Sequence, residues 1–351
     1  MARRRKSLFA AMLPTPKRRP TRRNAAAPKV PTMAVFTPGG SSRPAAASRP
    51  GGKGSWTEHR HLGPAGTRGY ALYIPFGLHR ATVAPLVMML HGCTQTPAEF
   101  AAATRFNVLA DRHGVVVVYP HQTATHNLNR CWNWFDPRHQ SRLAGEPAIL
   151  AGLARSLLTD SRFTLDPTRI YVAGISAGGG MALTLGATFP DVFAAVGVHS
   201  GPPFKSASGG RDALAAMAGR TALPGLGEIP ARTLGLPPTI VFQGTRDTTV
   251  RPAAAEQVTA QWLEVSDAAA GPGDPRRVAR TRTTTSTTGG RTATVTRWYS
   301  ARGRTVLESW LVSGLGHAWS GGLAQGSFSD PVGPRATTQL WRFLSTQRLG
   351  S

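Results

Sequence analysis

A serine lies among glycines in the stretch IYVAGISAGGG, residues 170–180. The apolar residues before it predict a buried strand, and the residues after it have the spacing of a helix. Residues 174–178, GISAG, therefore match the G-x-S-x-G pattern in the strand–turn–helix context that exposes a nucleophilic serine. A glycine turn that only lets two elements pack closely is the alternative. We predict that Ser176 is a nucleophile.

A serine hydroxyl is a poor nucleophile unless a histidine takes its proton and an acid orients that histidine. With a serine in this context, the acid and then the histidine follow it in the chain. Only His199 and His317, of ten histidines, come after Ser176. His199 directly follows the next predicted strand, which leaves no strand to supply an acid before it. His317, in the glycine-rich loop GLGHAWSGG (314–322), is our predicted base; a surface histidine is the alternative.

Asp247 is the predicted acid, because it lies in GTRDTTV (244–250), just past the carboxyl end of a predicted strand. There its carboxylate can accept the imidazole Nδ1–H and fix the tautomer. A plain turn residue is the alternative for Asp247. The other late acids that we weighed fall on a predicted helix or in a polar loop, where solvent exposure suits them; they are Glu256, Glu264, Asp267 and Asp274.

An acyl-transfer site also needs backbone N–H groups aimed at the developing oxyanion. One comes from the residue after the nucleophile and another from the loop after an earlier strand. The segment MMLHGCTQT (88–96) leaves a buried strand in the right order. We therefore predict an oxyanion hole made by the amides of Ala177 and Cys93.

Alternating strands and helices support this arrangement. Apolar runs predict buried strands, and amphipathic or small-residue stretches between them predict helices over 98–114, 146–163 and 178–190. This alternation is typical of an α/β fold with a mostly parallel sheet, whose strand carboxyl ends hold the ligand site. The strands are predicted at 69–75, 85–90, 115–120, 169–174, 193–201, 238–244, 292–300 and 305–313. The stretch 202–236 is predicted as an excursion over the edge of the sheet, and 268–291 as a polar break.

The net charge of +24 is uneven along the 351 residues. Residues 1–53 hold 13 Lys and Arg and no acid, which leaves 28 basic and 17 acidic residues in the remainder, a net +11. The segment is rich in Pro, Ala, Gly, Ser and Arg, so we predict a disordered, solvated arm over 1–59 and a catalytic domain over 60–351. No specific nucleic-acid partner is predicted; weak contact of the arm with an anionic surface is the alternative.

Two cysteines, Cys93 and Cys131, form no CxxC pair, so we predict no structural metal. A disulfide in an oxidising compartment and two reduced, buried thiols both fit the composition. No apolar run approaches the roughly 18 residues needed to span a bilayer. The apolar run LFAAML (8–13) that follows RRRKS is short for an export signal.

Taken together, these motifs resemble the catalytic domain of the polyhydroxybutyrate (PHB) depolymerase-type esterases, within the α/β-hydrolase fold. The matching stretches occur in the family's order over about residues 66–345. They are LHGCTQT (90–96), CWNWF (131–135), GISAGG (174–179), GTRDTTV (244–250), GHAWSGG (316–322) and FSDPVGPRATTQLWRFL (328–344).

The resemblance implies a secreted or envelope serine esterase, extracellular or periplasmic, that cleaves esters of short hydroxyacids without a cofactor. It also implies a disulfide between Cys93 and Cys131. By the same resemblance Trp132, Trp134 and Trp319 line the substrate cleft, with aromatic core as the alternative. Two other functions stay open: a feruloyl or acetyl esterase acting on plant polysaccharide, and a non-catalytic protein that binds anions through its arm.

Overall fold

A computed structural model describes residues 50–223, 235–270, 273–274 and 276–350. Within this part of the chain, ten strands form one large sheet, two short strands pair separately, and seven α-helices and one 3₁₀ helix connect them. The strands of the large sheet are β1 Ser55–Gly63, β2 Gly66–Ile74, β3 Val83–Leu90, β4 Val116–Pro120, β5 Thr164–Ile175, β6 Ala195–His199, β7 Thr239–Gly244, β8 Val278–Thr288, β9 Arg291–Ser300 and β10 Thr305–Val312; the short pair is β11 Trp319–Ser320 and β12 Ser329–Asp330. The helices are α1 Pro97–Thr104, α2 Phe106–His113, α3 Gly145–Leu157, α4 Ala177–Thr188, α5 Gly210–Met217, α6 Pro252–Ala269 and α7 Ala336–Leu344, and the 3₁₀ helix is Pro137–His139.

The strand order is β1-β2-β4-β3-β5-β6-β7-β10-β9-β8. The six strands from β4 to β10 run parallel, and antiparallel hairpins extend the sheet at each end. Consecutive strands joined by helices can be parallel neighbours because the helix returns the chain to the same end of the sheet. The carboxyl ends of β5, β6 and β7 therefore meet at one edge, as predicted. The α/β-hydrolase fold is confirmed.

Helices cover both faces of the sheet, which explains why the central strands are apolar throughout. Along β3, Leu86 and Met88 point into a core shared with α3, α4 and α6. Val87 and Met89 point into a second core shared with α1, α2 and α7. Burying both faces makes the middle of the sheet a rigid platform for the loops at its edge.

The structure corrects three of the predicted boundaries. The break predicted over 268–291 contains β8, an eleven-residue strand rich in threonine, whose high strand propensity is independent of hydrophobicity. The helix predicted over 98–114 is two helices, because Arg105 adopts a left-handed backbone with φ 55° between α1 and α2. β1 also begins at Ser55, inside the range assigned to the arm. Residues 1–49 lie outside the described part of the chain, so the disorder of the arm stays a prediction.

Arg105 offers a test of the break between α1 and α2. Its side chain is exposed. A left-handed backbone conformation costs a residue other than glycine roughly 1–2 kcal/mol. Glycine avoids this cost but loses about 0.5–1 kcal/mol more conformational entropy when the chain folds. We expect Arg105→Gly to raise the free energy of unfolding, measured in urea, by about 0.5–1 kcal/mol. Arg112→Gly, at an exposed position inside α2, should lower it by about 1 kcal/mol. Equal losses in both variants would contradict this account.

Candidate active site

Ser176 lies in the turn between β5 and α4 with φ 56° and ψ −124°, a backbone conformation that serine rarely adopts. Such a residue costs about 1–3 kcal/mol and persists only where its surroundings hold it. Here the Ser176 N–H donates to the His199 carbonyl oxygen at 2.9 Å, and the Gly180 N–H donates to the Ser176 carbonyl oxygen at 3.0 Å. The side chain is partly exposed at the strand's carboxyl end. This is the geometry expected of a nucleophile elbow.

Two glycines make the turn sterically feasible. A Cβ at position 174 would lie 2.4 Å from the Gly178 carbonyl, and one at 178 would lie 2.2 Å from the Leu90 carbonyl oxygen. Both contacts are with backbone, which cannot move aside as a side chain can. The small residues of the motif are therefore required by the close approach of β5, α4 and the end of β3.

Asp247 follows the carboxyl end of β7 and is completely buried. Its Oδ1 accepts the backbone N–H groups of Thr249 at 3.0 Å and Val250 at 2.9 Å. Its Oδ2 accepts from Gln243 Nε2 at 3.2 Å and from His317 Nδ1 at 2.8 Å. Because an ionised carboxylate only accepts hydrogen bonds, this contact assigns the proton to Nδ1 of His317 and leaves Nε2 free to take one.

The environment of Asp247 keeps its carboxylate ionised. Burial on its own would raise the pKa of the Asp247 carboxyl. The hydrogen bond and charge of His317, the Val250 N–H and the Ser200 hydroxyl together outweigh burial and lower that pKa below its ordinary value. The ionised acid can then stabilise an imidazolium at position 317.

His317 stands in the loop that follows β10, with only 12% of its side chain exposed. The loop is fixed beyond the histidine by β11, where the Trp319 N–H donates to the Phe328 carbonyl oxygen at 2.8 Å. The structure thus joins Asp247 and His317 directly, although 70 positions separate them in the chain. Ser176 lies at the same sheet edge, two strands from Asp247.

His199 and Ser200 are buried and connect the turn of Ser176, the loop of Asp247 and the loop that follows His317. The sequence analysis did not predict this connection. The His199 carbonyl holds the Ser176 N–H, and the Ser200 side chain contributes to the hydrogen bonding of Asp247. His199 Nε2 accepts the Ser320 N–H at 3.1 Å, while its Nδ1 lies 3.1 Å from the Ser200 hydroxyl. This ring therefore has both nitrogens engaged and cannot act as the base. Its position directly after β6, at the edge that carries the site, was the available signal.

The proposed oxyanion amides belong to segments that a disulfide and a helix start hold in place. Cys93 and Cys131 form a disulfide, so the oxidised alternative is the one observed. Ala177 is the first residue of α4, where backbone N–H groups have no partner within the helix. Within the described part of the chain, the backbone N–H groups of Cys93 and Ala177 donate to no protein acceptor. Their role as oxyanion donors remains a proposal.

A buried polar cluster supports the loop that carries Cys131. Glu146 forms an ion pair with Arg68 at 3.5 Å and accepts the backbone N–H of Asn133 at 2.8 Å. Gln122 bridges this cluster, since its amide contacts Arg68, Glu146 and the Cys131 carbonyl. The second end of the disulfide is therefore anchored to the core.

The three tryptophans are not in a cleft, which corrects the prediction. Trp132 is fully buried and donates its indole N–H to the His91 carbonyl oxygen at 3.1 Å. Trp134 is buried in the core against α4, close to Gly180. Trp319 stacks on His199 and donates to Thr337 Oγ1 at 3.0 Å. All three indoles have almost no exposed surface, as the aromatic-core alternative expects.

The disulfide should matter for both stability and rate. We expect Cys93→Ala/Cys131→Ala to lower the free energy of unfolding by about 2–4 kcal/mol, because the unfolded chain regains the freedom of a 38-residue loop. The variant should also hydrolyse p-nitrophenyl butyrate with a lower kcat, since the Cys93 amide is less fixed. Dithiothreitol should produce the same change in the parent protein and none in the variant. Unchanged urea midpoints would contradict the bracing role.

His199 and His91 should make the fold sensitive to acid. Burial, and for His199 the nearby His317, lowers the pKa of His199 to about 3; burial likewise lowers the pKa of His91 to about 4. In the unfolded chain, histidine has a pKa near 6.5. Below that pH the unfolded state therefore binds more protons than the native state, in which these two histidines stay neutral. Stability should therefore fall as the pH drops from about 6.5 to 4, by roughly 1 kcal/mol per pH unit for each histidine.

The His199→Gln variant isolates one of these contributions, because its amide oxygen can still accept the Ser320 N–H but does not titrate. The free energy of unfolding, measured in urea at several pH values, should depend less steeply on pH in the variant. The difference in slope should correspond to about one proton fewer taken up on unfolding. An identical slope would show that His199 is not held neutral.

Neither a metal cluster nor a spanning helix is present in residues 50–223, 235–270, 273–274 and 276–350. No group of three or more His, Cys, Asp or Glu side chains is arranged to hold a metal ion there. No helix there has the length and apolar character needed to cross a bilayer.

Comparisons with known proteins agree with this geometry. The chain is 31% identical over 257 residues to poly(3-hydroxyalkanoate) depolymerase C of Paucimonas lemoignei, which covers 70% of this chain and 57% of that protein. It is 30% identical over 214 residues to feruloyl esterase B of Neurospora crassa, which covers 58% of this chain and 71% of that protein. The chain thus spans little more than half of the depolymerase.

A solved structure shows the same fold, the acetyl xylan esterase from Aspergillus awamori. Its TM-score is 0.60 over 83% of this chain and 99% of that one, at 18% identity. The model of the family described as esterase PHB depolymerase matches residues 68–286, more than half of the chain. The chain therefore belongs to the esterase PHB depolymerase family.

Proposed function

We propose that this protein is a serine carboxylic ester hydrolase in which Ser176, His317 and Asp247 form the catalytic triad. The observation that carries the proposal is the 2.8 Å hydrogen bond from His317 Nδ1 to the buried Asp247, at the sheet edge where the strained Ser176 lies. The bond leaves the other ring nitrogen unprotonated, which is the state a general base requires. Membership of an esterase family supports the same reaction.

In the first step, Ser176 Oγ attacks the ester carbonyl carbon while His317 Nε2 takes the hydroxyl proton. The carbonyl oxygen becomes an oxyanion, which the amides of Ala177 and Cys93 stabilise. Asp247 stabilises the imidazolium that results. Collapse of the intermediate breaks the ester C–O bond, and His317 gives its proton to the departing alcohol, so an acyl-enzyme remains on Ser176.

In the second step, water replaces the alcohol. His317 Nε2 takes a proton from water, whose oxygen attacks the acyl carbon, and the same oxyanion donors stabilise the new intermediate. Its collapse returns the proton to Ser176 Oγ and releases the carboxylic acid. The cycle consumes one water per ester bond and requires no metal or nucleotide.

The substrates that we propose are poly- or oligo(3-hydroxybutyrate) and related short hydroxyacid esters. The name of the Paucimonas relative, a poly(3-hydroxyalkanoate) depolymerase, supports this class. Feruloyl or acetyl esters of plant polysaccharide are the second candidate, favoured by the names of the Neurospora and Aspergillus proteins. A panel of 3-hydroxybutyrate oligomers, methyl ferulate and acetylated xylan separates them; the highest kcat/KM should fall on the oligomers.

The working compartment that we propose is extracellular or periplasmic. The Cys93–Cys131 disulfide supports it, because disulfides persist in oxidising compartments and are rare in the cytosol. The ester substrate is the binding partner that we propose, and we propose no specific nucleic-acid partner. Weak contact with an anionic surface is assigned to the basic arm.

Replacement of the nucleophile tests the mechanism. Ser176→Ala should remove hydrolysis of p-nitrophenyl butyrate, with kcat reduced by about 10⁵-fold or more, because no covalent intermediate can form. A fluorophosphonate probe, read by peptide mass, should label Ser176 in the parent protein, and Ser200→Ala should still be labelled there. Turnover retained by Ser176→Ala, or a label on another serine, would reject the mechanism.

A further inference from the structure

Threonines cover one face of the β8–β9 hairpin at the edge of the large sheet. The two strands pair Thr283 with Thr296, Thr285 with Thr294 and Thr287 with Thr292. Alternate residues of a strand share a face, so these side chains all lie on the same side. We call this array the threonine face; its members are Thr281, Thr283, Thr285, Thr287, Thr292, Thr294 and Thr296, with Trp298 opposite Thr281. All its threonines except Thr296 are exposed.

The hairpin places its cations on the other face. Arg280 is paired with Tyr299 and Arg282 with Arg297, in the alternate register to the threonines. Arg297 bonds the buried Glu308, and Arg280 lies over the Tyr299 ring at 4.4 Å. The threonine face therefore carries no charge in a chain of net charge +24. This segregation disfavours nucleic acid or another polyanion as the occupant.

The hydroxyls of the threonine face are already ordered. Thr283 and Thr296 hydroxyls lie 3.1 Å apart, and those of Thr287 and Thr292 lie 3.0 Å apart. One hydroxyl of each pair donates to the other, so one O–H per pair remains for an outside acceptor, beside two methyl groups. β-Branched side chains have little rotamer freedom, so a contact loses little entropy. The result is a flat grid of donors and methyls, spaced about 6.7 Å along a strand and about 4.8 Å across strands.

One end of the threonine face lies at the edge of the sheet that holds the active site. The Ser313 N–H, one residue beyond β10, donates to the Thr292 carbonyl oxygen at 2.8 Å. At the same level, Val312 of β10 is paired with Gly244 of β7, three residues before Asp247. The hairpin turn is fixed there by the ion pair of Arg291 with Asp330 at 2.6 Å. A chain lying along the threonine face can therefore extend toward the site.

We propose that the threonine face binds the surface of a neutral aliphatic polyester and holds it next to the active site; this deepens the proposed function and rests on it. Such a polyester presents carbonyl oxygens and aliphatic groups, and neither donors nor charges. The face presents hydroxyl donors and methyls, and no charges, so the two surfaces match in each property. A polysaccharide, which presents many donors of its own, matches less well.

Charge introduced at the centre of the threonine face tests the inference. The cross-strand pair Thr285 and Thr294 is changed to two lysines in one variant and to two glutamates in another, each in a Ser176→Ala background so that the film stays intact. Adsorption to an amorphous poly(3-hydroxybutyrate) film is followed on a quartz crystal microbalance in about 0.5 M NaCl. At this salt concentration the Debye screening length is shorter than about 10 Å, so long-range attraction between charges is weak. Thr67→Lys and Thr67→Glu, exposed on β2 at the opposite end of the sheet, are the matched controls.

Both the lysine and the glutamate variants should bind the film with an affinity at least tenfold lower, because a charge of either sign must lose its water against the film. The Thr67 variants should adsorb like the parent. With Ser176 present, hydrolysis of soluble p-nitrophenyl butyrate should stay within twofold in every variant, which shows that the fold and the site are intact. Should the charged variants fail to fold, Thr285→Ser/Thr294→Ser, which keeps the hydroxyls and removes two methyls, should weaken adsorption several-fold.

Several results would overturn the inference. One is undiminished adsorption of all variants, and another is tighter adsorption with lysine but weaker with glutamate, which would indicate attraction of the basic chain to the film. Absence of adsorption by the parent, or adsorption to insoluble acetylated xylan instead of the polyester, would overturn it as well. Failure of the proposed function looks different, since soluble hydrolysis would then not depend on Ser176.

Discussion

The hydrogen bond between His317 and Asp247 is the interaction on which the arrangement of the site depends. It joins a loop after β7 to a loop after β10, and it fixes which ring nitrogen carries the proton. A buried carboxylate is costly unless its oxygens accept several hydrogen bonds, and Asp247 receives them from the backbone at 249 and 250 as well as from Gln243 and His317. The acid is therefore held ionised before any substrate arrives.

The parallel sheet brings the residues of the site together, and it also imposes backbone strain at the ends of its strands. Parallel strands deliver Ser176, Asp247 and His199 to one edge, where Ser176 and Ser200 both adopt backbones with positive φ. Strain of about 1–3 kcal/mol at such a residue requires rigid surroundings, which the two buried faces of the central strands supply. His199 and Ser200 connect the strained turn, the acid and the loop of the imidazole, so a change at one position affects the others.

Much of this site could be predicted from sequence, because its elements are local or ordered along the chain. The turn at Ser176 follows from glycine spacing, and Asp247 and His317 follow from their order after strand ends. The link through His199 could not be predicted, since it depends on which atoms meet across three loops. The tryptophans at 132, 134 and 319 look alike in sequence whether they face a cleft or the core; only packing distinguishes the two. β8 was missed because its threonines are polar, although their β-branched side chains favour a strand.

Replacement of Asp247 by asparagine tests the central claim most directly. The substitution keeps the size of the side chain, but its amide can donate to Nδ1 and so favour the wrong tautomer of His317. For p-nitrophenyl butyrate, kcat should fall by about 10³–10⁴-fold while the circular dichroism spectrum stays native. A native Asp247→Asn protein whose kcat stays within tenfold of the parent value would contradict the account.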